Sequence, residues 1–266
     1  MNSDSAVKLA LLVVASDRRV YLESLAISLK VKRLREIDHV LLVDTATFPV
    51  ARSAARLQRL YDGCEIMELP GVSFHRVLRI AWKYLKDEVG ATHVLMFEED
   101  FILLRQIPVQ RLVALANLDN ILQVVMPRQR WFEAEFRHRD RRGYLRANRP
   151  FRETSHGDEL EGYFTSNPHC MRLDRIVPLL AEVEPSDDYT WEWEYGEASA
   201  SHALASLQVA SVWPWVWHIG AATSLGIRTT IEQGRSTLIA YLRAHLKRAF
   251  IGAFRRLPIS RQGHTR

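Results

Sequence analysis

The sequence predicts an α/β fold, a mixed and mostly parallel sheet flanked by helices, and three observations lead there. Short, continuously apolar runs recur at 8–15, 39–43 and 92–98, as expected of strands buried on both faces. Between them lie stretches whose apolar residues recur at helical spacing. Each run ends in polar or acidic residues, at the strand end where α/β folds bind ligands. Strands alternating with helices imply parallel neighbours joined by right-handed crossovers.

The first run ends at Ser16-Asp17-Arg18. A helix over 20–34 follows, carrying Leu22, Leu25, Ile27, Leu29 and Leu34, and the second strand ends in Asp44. A strand over 65–69 leads through a Pro70-Gly71 turn into a helix over 74–89, and the strand after it runs into Glu98-Glu99-Asp100. Residues 123–126 read as a further strand, after which the alternation stops in an arginine-rich stretch over 128–152. Beyond it we expect a helix over 172–181, an acidic aromatic segment over 187–197, a helix over 198–206, and a strand leading to Trp217-His218-Ile219-Gly220. No internal repeat or long low-complexity linker is visible.

With 266 residues and 47% hydrophobic content, the chain can bury one large core. We expect one domain over 1–230, with 128–152 as an insertion and 231–266 as a C-terminal extension. The formal charge of +5 suits an acidic partner such as a phosphate, a nucleic acid or an anionic lipid, without choosing among them. Cys64 and Cys170 are far apart and form no CxxC pair, which argues against a disulfide framework or a zinc knuckle and fits a reducing compartment. Residues 1–5 lack the basic-then-apolar order of a signal peptide, and no run approaches the roughly 18 apolar residues of a membrane span. The expected location is cytoplasmic, with peripheral contact at the inner membrane face.

Three consecutive acids at the end of a buried strand repel one another and resist desolvation, so Glu98, Glu99 and Asp100 need a compensating cation. A hard divalent ion, Mg²⁺ or Mn²⁺, would bridge such carboxylates to a substrate's phosphates. An acidic loop that merely follows a strand is the plainer alternative; position at the ligand-binding strand end favours the metal.

On these residues the chain resembles the family 2 type of glycosyltransferase with a GT-A fold. The segment over 13–29 resembles that family's first strand, polar turn and helix, which implies that Ser16 and Arg18 sit beside the nucleotide. The segment over 39–47 resembles its second strand, placing Asp44 near the base or ribose. The acidic motif resembles the family's DXD, with Glu98 and Asp100 at its two acidic positions and glutamate in place of the commoner first aspartate. The resemblance implies a nucleoside diphosphate sugar as donor, bound by Ser16, Arg18, Asp44, Arg76, Glu98 and Glu99. It spans about 8–105, loosens over 160–220, and leaves out the arginine-rich stretch and the tail.

His218, after an aromatic run and before the small-residue segment 220–226, resembles the family's late histidine that completes the metal shell with Asp100 and Glu98 ahead of a closing loop. A packed histidine with one hydrogen bond is the alternative. In the segment 191–197, carboxylates lie between aromatic faces: Trp191 and Trp193 can stack on a sugar, and a half-buried glutamate suits general-base work in inverting transfer. Counting back from the expected helix over 198–206 and strand over 208–212, Glu194 fits that base best, with Glu192 and Glu197 as substitutes; core tryptophans and helix-start glutamates are the alternative.

Asn167, in a turn before a helix, resembles the family's acceptor-side turn. Arg128, Arg130 and the arginines after them, interleaved with aromatics, suit an acceptor that is a phosphorylated glycan or a nucleic acid, or else form a solvated insertion. Leu238, Leu242, Leu246, Phe250, Phe254 and Leu257 recur with basic residues between them, a pattern that fits packing on the domain or contact with an anionic membrane. The function expected is metal-dependent, inverting glycosyl transfer. The alternatives are a nucleotidyltransferase of related fold and a non-enzymatic nucleic-acid-binding protein.

Overall fold

All seven residues of the first strand, β1 (Leu9–Ala15), are buried, and their alternation divides the interior in two. Leu9, Leu11 and Val13 face one hydrophobic cluster with Leu22, Leu25 and Leu29; Ala10, Leu12 and Val14 face another with Val77, Leu78, Ala81, Trp82 and Leu85. Each fully buried side chain of this size contributes about 1.5–3 kcal/mol, so the central strand is held from both sides.

The computed structural model describes residues 7–32, 34, 36–47, 57–59, 61, 63–127, 152–153, 159–161, 164–184, 191–209 and 214–219. After β1 come α1 (Arg19–Val31), β2 (His39–Asp44), β3 (Glu65–Glu68), α2 (Phe74–Asp87), β4 (His93–Glu98) and β5 (Phe101–Leu103). The second half contributes α3 (Val109–Ala116), β6 (Ile121–Val125), β7 (Arg152–Glu153), β8 (Glu159–Glu161), β9 (His169–Arg172), α4 (Leu173–Leu179), α5 (Trp191–Ser201), β10 (Ala205–Gln208) and β11 (Val216–His218). The chain divides into units of 1–218 and 219–266, and apart from Ile219 the second lies outside the described residues. So do almost all of the arginine-rich stretch, including Arg128 and Arg130, and the whole segment 231–266. No described helix is long and apolar enough to cross a membrane.

One nine-stranded sheet has the order β3-β2-β1-β4-β9-β6-β10-β8-β7, and a separate ribbon pairs β11 with β5. The neighbours β1–β2, β2–β3, β1–β4 and β6–β10 are parallel, whereas β9 lies antiparallel between β4 and β6. The sheet is therefore mixed and mostly parallel in its first half, as the alternating runs predict. Helix α2 ends where Gly90 takes φ +69, and the Val89 and Ala91 amides close its last turn on Tyr84 O and Leu85 O.

Several elements differ from expectation. In α1, Leu22, Leu25 and Leu29 are buried, but Ile27 is 54% exposed because it falls on the outer face. The helix expected over 198–206 lies over 191–201 instead, and 205–208 is strand. Trp191, Tyr195, Ala198 and Ser199 share a helical face, but a serine in the last position hides the stripe, and Glu192 and Glu194 suit the helix start. Strands β5 and β9 and helix α3 are too short, at three, four and eight residues, to give a clear period.

His169 in β9 is fully buried against Phe164, and its Nδ1 lies 2.7 Å from Asn167 O. Burial pushes its imidazole down from 6.5 to about 4, against the raising effect of that bond. As pH falls through 6.5 the unfolded chain takes the proton first, so this contribution to stability is complete above 6.5 and declines as pH falls towards 4. Urea unfolding between pH 7.5 and 4.5 should find that wild type loses up to about 2–3 kcal/mol more than His169→Gln. Parallel pH profiles for the two proteins would contradict it.

Candidate active site

The chain leaves β1 for β2 and β3 on one side and returns to β4 on the other, so the C-terminal ends of β1 and β4 form the switch point at which open α/β sheets bind ligands. The two strands run in register, Val14 opposite Glu98, and the Glu99 amide donates to Val14 O at 3.0 Å. This pairing fixes the polar turn after β1 against the acids after β4. Ser16 Oγ donates to Glu99 Oε1 at 2.7 Å. Arg18 spans two carboxylates, Nε to Glu99 Oε1 at 2.6 Å and Nη1 to Asp100 Oδ2 at 2.7 Å. Its guanidinium also lies over the Tyr21 ring, 5.6 Å from the centroid.

His218 enters from β11, held antiparallel to β5 with His218 opposite Phe101. The ribbon is tied to the rest of the fold by Trp215, whose amide donates to Pro127 O and whose carbonyl accepts from the Leu104 amide. The imidazole stacks on Phe101 at 4.4 Å, with Nε2 3.0 Å from Asp100 Oδ2. Thus Ser16, Arg18, Glu99, Asp100 and His218, from three separate parts of the chain, form one connected cluster, and Glu98 adjoins it.

Glu99 and Asp100 are 2% and 3% exposed. Burial, then the Asp100 and Glu99 charges, push the Glu98 carboxyl well above the usual range. Burial also raises Glu99, with Arg18 opposing. For Asp100, burial acts upward, but the hydrogen bonds and charges of His218 and Arg18 win and hold it below the usual range. Burial likewise opposes the Arg18 charge, and the acids outweigh it. Among the described residues, the compensating cation of the acidic motif is thus Arg18.

No group of three or more His, Cys, Asp or Glu side chains among the described residues is arranged to hold a metal ion. The donor chemistry still suits one: carboxylate oxygens with an imidazole favour Mn²⁺ or Mg²⁺, and Asp100 Oδ1 is buried with no hydrogen-bond partner. A buried acceptor left so costs about 1–3 kcal/mol, which a cation would relieve.

Asp44 is 8% exposed at the end of β2, with Oδ1 accepting from the Ala46 amide at 2.8 Å. Arg76 is exposed on the first turn of α2. On the other flank, Gln123 stands in the middle of buried β6. With its amide oriented to satisfy both ends, it donates to Thr165 O, accepts from Thr165 N, and accepts from Ser206 Oγ at 2.9 Å. The Thr165 hydroxyl accepts from Asn167 Nδ2 at 2.6 Å, and the Ser166 amide donates to Glu192 Oε1 at 2.6 Å. Gln123 therefore fixes the turn that carries Asn167 and holds Glu192. The Glu192 charge is the least of those that raise the Glu98 carboxyl.

Glu194 is half-buried and Glu197 exposed on the same helix. Trp191 is 6% exposed, stacked on His75 and packed on Phe74, Phe164 and Tyr195, so its ring serves the interior. The side chain of Trp193 lies outside the described residues. Tyr195 Oη meets His75 Nε2 at 3.2 Å and accepts from Arg79, which also donates to Val183 O and Leu180 O. Sequence reasoning missed Gln123, Thr165, Tyr195 and Arg79. A glutamine inside the apolar run Ile121–Val125 was the available signal, because a buried amide must find partners.

The fold is of the GT-A type. A mannosyltransferase from Pyrobaculum calidifontis, PcManGT, solved in complex with GDP-Man and Mn²⁺, is similar over 80% of this chain and 59% of that chain, at 11% identity and a TM-score of 0.53. The chain thus spans little more than half of that protein's length. S. aureus TarS matches at 12% identity over 90% of this chain and 43% of its own, with a TM-score of 0.49. A cytidylyltransferase from Leptospira borgpetersenii serovar Hardjo-bovis matches at 10% over 79% and 78%, with a TM-score of 0.48. No protein-family model and no curated protein sequence matches the chain. At such identities the likeness is one of fold, and chemistry must be argued from the site.

Replacing Gln123 by leucine keeps the volume but leaves the Thr165 amide and carbonyl without their partner. Urea unfolding should give a loss of about 2–4 kcal/mol with an unchanged denaturant slope. A loss below about 0.5 kcal/mol would mean that the amide does not hold the turn.

Proposed function

We propose that the chain is a glycosyltransferase that moves a sugar from a nucleoside diphosphate sugar to an acceptor hydroxyl, depends on a divalent metal and inverts the anomeric centre. The observation that carries this reading is the joined cluster of Ser16, Arg18, Glu99, Asp100 and His218, with Glu98 beside it, at the C-terminal ends of β1 and β4. A crevice at that switch point, lined by acids that need a cation, suits a diphosphate accompanied by a metal.

In this reading Asp44, at the end of β2, faces the base or ribose, and Arg76 contributes charge from α2. Arg18 offers its guanidinium fork to phosphate oxygens, which it can bind in bidentate fashion. Asp100, Glu98 and His218 would hold Mn²⁺ or Mg²⁺, whose charge favours departure of the nucleoside diphosphate. Glu99, fastened by Ser16 and Arg18, orients the cluster.

Of the three glutamates of α5, Glu192 has the strongest support as the general base. Its Oε1 is anchored by the Ser166 amide in the turn that carries Asn167, and its charge acts on the Glu98 carboxyl. The base takes the acceptor's hydroxyl proton as that oxygen attacks the anomeric carbon and the bond to the diphosphate breaks. Glu194 and Glu197 lie further along the helix. Asn167, in the turn tied to Gln123, borders the acceptor side. Arg128 and Arg130, outside the described residues, would meet an acceptor that is a phosphorylated glycan or a nucleic acid, in a cytoplasmic protein whose C-terminal segment touches the membrane surface.

Incubated with a panel of sugar nucleotides and Mn²⁺, the protein should release nucleoside diphosphate and free sugar by slow transfer to water. Turnover only when pyrophosphate is added, to nucleoside triphosphate and sugar phosphate, or turnover of no sugar nucleotide, would contradict the reading. Glu192→Gln should lower kcat by about 10²–10⁴ with donor binding retained; an unchanged kcat would remove Glu192 from the role. NMR of the first-formed product should find the opposite anomer to the donor, and net retention would exclude a single base-assisted displacement.

A further inference from the structure

Arg18 sits where a bound cation would be expected. Its fork covers Glu99 and Asp100 on one side, and Asp100 Oδ2 accepts from Arg18 while also meeting His218. The carboxylate side chains are 3% and 4% exposed, whereas the Arg18 side chain is 34% exposed. The guanidinium is therefore held by the two carboxylates on a side chain that is itself partly open to solvent.

We propose that Arg18 is a resident counter-cation that gates the metal: a divalent ion enters the acidic cluster only when a nucleoside diphosphate draws the guanidinium off Asp100. This rests on the reading of the crevice as a diphosphate site. A divalent ion on Asp100, even on the unpartnered Oδ1, would stand beside the guanidinium held on Oδ2 of the same carboxylate and set like charges side by side. The exchange keeps every charge paired. Arg18 trades two carboxylates for phosphate oxygens that fit the same planar fork, and the carboxylates trade a guanidinium for the metal. Ser16 stays on Glu99 throughout, so one acid keeps its place while Asp100 changes partner. Metal and nucleotide then bind with positive coupling, and the coupling is reciprocal.

The direct test uses Mn²⁺ alone. Free Mn²⁺ measured by electron paramagnetic resonance should reveal binding at least about tenfold tighter in Arg18→Met than in wild type, both without nucleotide. Melting temperatures give the second readout: in EDTA the variant should melt below wild type, and Mn²⁺ should restore it, whereas wild type should hardly respond. Adding Asp100→Asn to Arg18→Met should abolish both effects. Mn²⁺ binding that is unchanged or weaker in Arg18→Met would overturn the proposal, because the ion would then bind beside Arg18 rather than in its place. If Arg18→Met does not fold, Arg18→Gln, which removes the charge and keeps a polar side chain, must still bind Mn²⁺ more tightly than wild type, and equal or weaker binding overturns the proposal. A protein that turns over no sugar nucleotide but gains metal affinity on loss of Arg18 would sink the transferase reading and leave the gate. Donor binding without that gain would do the reverse.

Discussion

Three consecutive carboxyl groups at the end of a buried strand are the constraint on which the rest of the structure depends. Left alone they would repel one another and resist leaving water. The fold answers by pairing β1 directly with β4, so that the turn after β1 delivers Ser16 and Arg18 onto Glu99 and Asp100. The β5–β11 ribbon then brings His218 onto the same aspartate from 118 positions away. The apolar faces of β1 fix this geometry, because both are packed and a slip of one residue would turn each side chain to the wrong layer.

The same constraint organises the second flank. Strand β9 runs antiparallel between β4 and β6, and the turn that precedes it is clamped by Gln123. That turn holds Glu192 at the start of α5, and the network of His75, Arg79 and Tyr195 ties α5 to α2 and to the end of α4. A carboxylate on a packed helix is thus fastened by a backbone amide of the turn before β9.

The first half of the fold was legible because its strands are buried on both faces and so read as unbroken apolar runs that end at the site. Ser16, Arg18, Glu98, Glu99 and Asp100 stand out in the sequence for that reason, each at a strand's C-terminal end, and the structure joins Ser16 and Arg18 to Glu99 and Asp100. His218 was legible only through resemblance, since its neighbours Trp217 and Trp215 suggest a packed residue equally well. What sequence could not give was the partner of each acid: the cation on Glu99 and Asp100 is an arginine 81 and 82 positions earlier. The start of α5 and the short strands β5 and β9 were hidden because their residues are dictated by tertiary packing, with too few turns or alternations to set a period. Trp191 suggested a sugar platform from its flat ring, and the structure turns that ring against His75 instead.

The central claim is that the crevice at the ends of β1 and β4 binds a nucleoside diphosphate together with a divalent ion. Melting temperatures of wild type and Asp100→Asn, across a panel of nucleoside diphosphates with and without Mn²⁺, test it most directly, since a ligand at a hundred times its Kd adds about 2.7 kcal/mol to the native state. The account predicts a rise for at least one nucleotide that needs Mn²⁺ and disappears in the variant. No rise with any nucleotide, or a rise indifferent to both Mn²⁺ and Asp100, would contradict it.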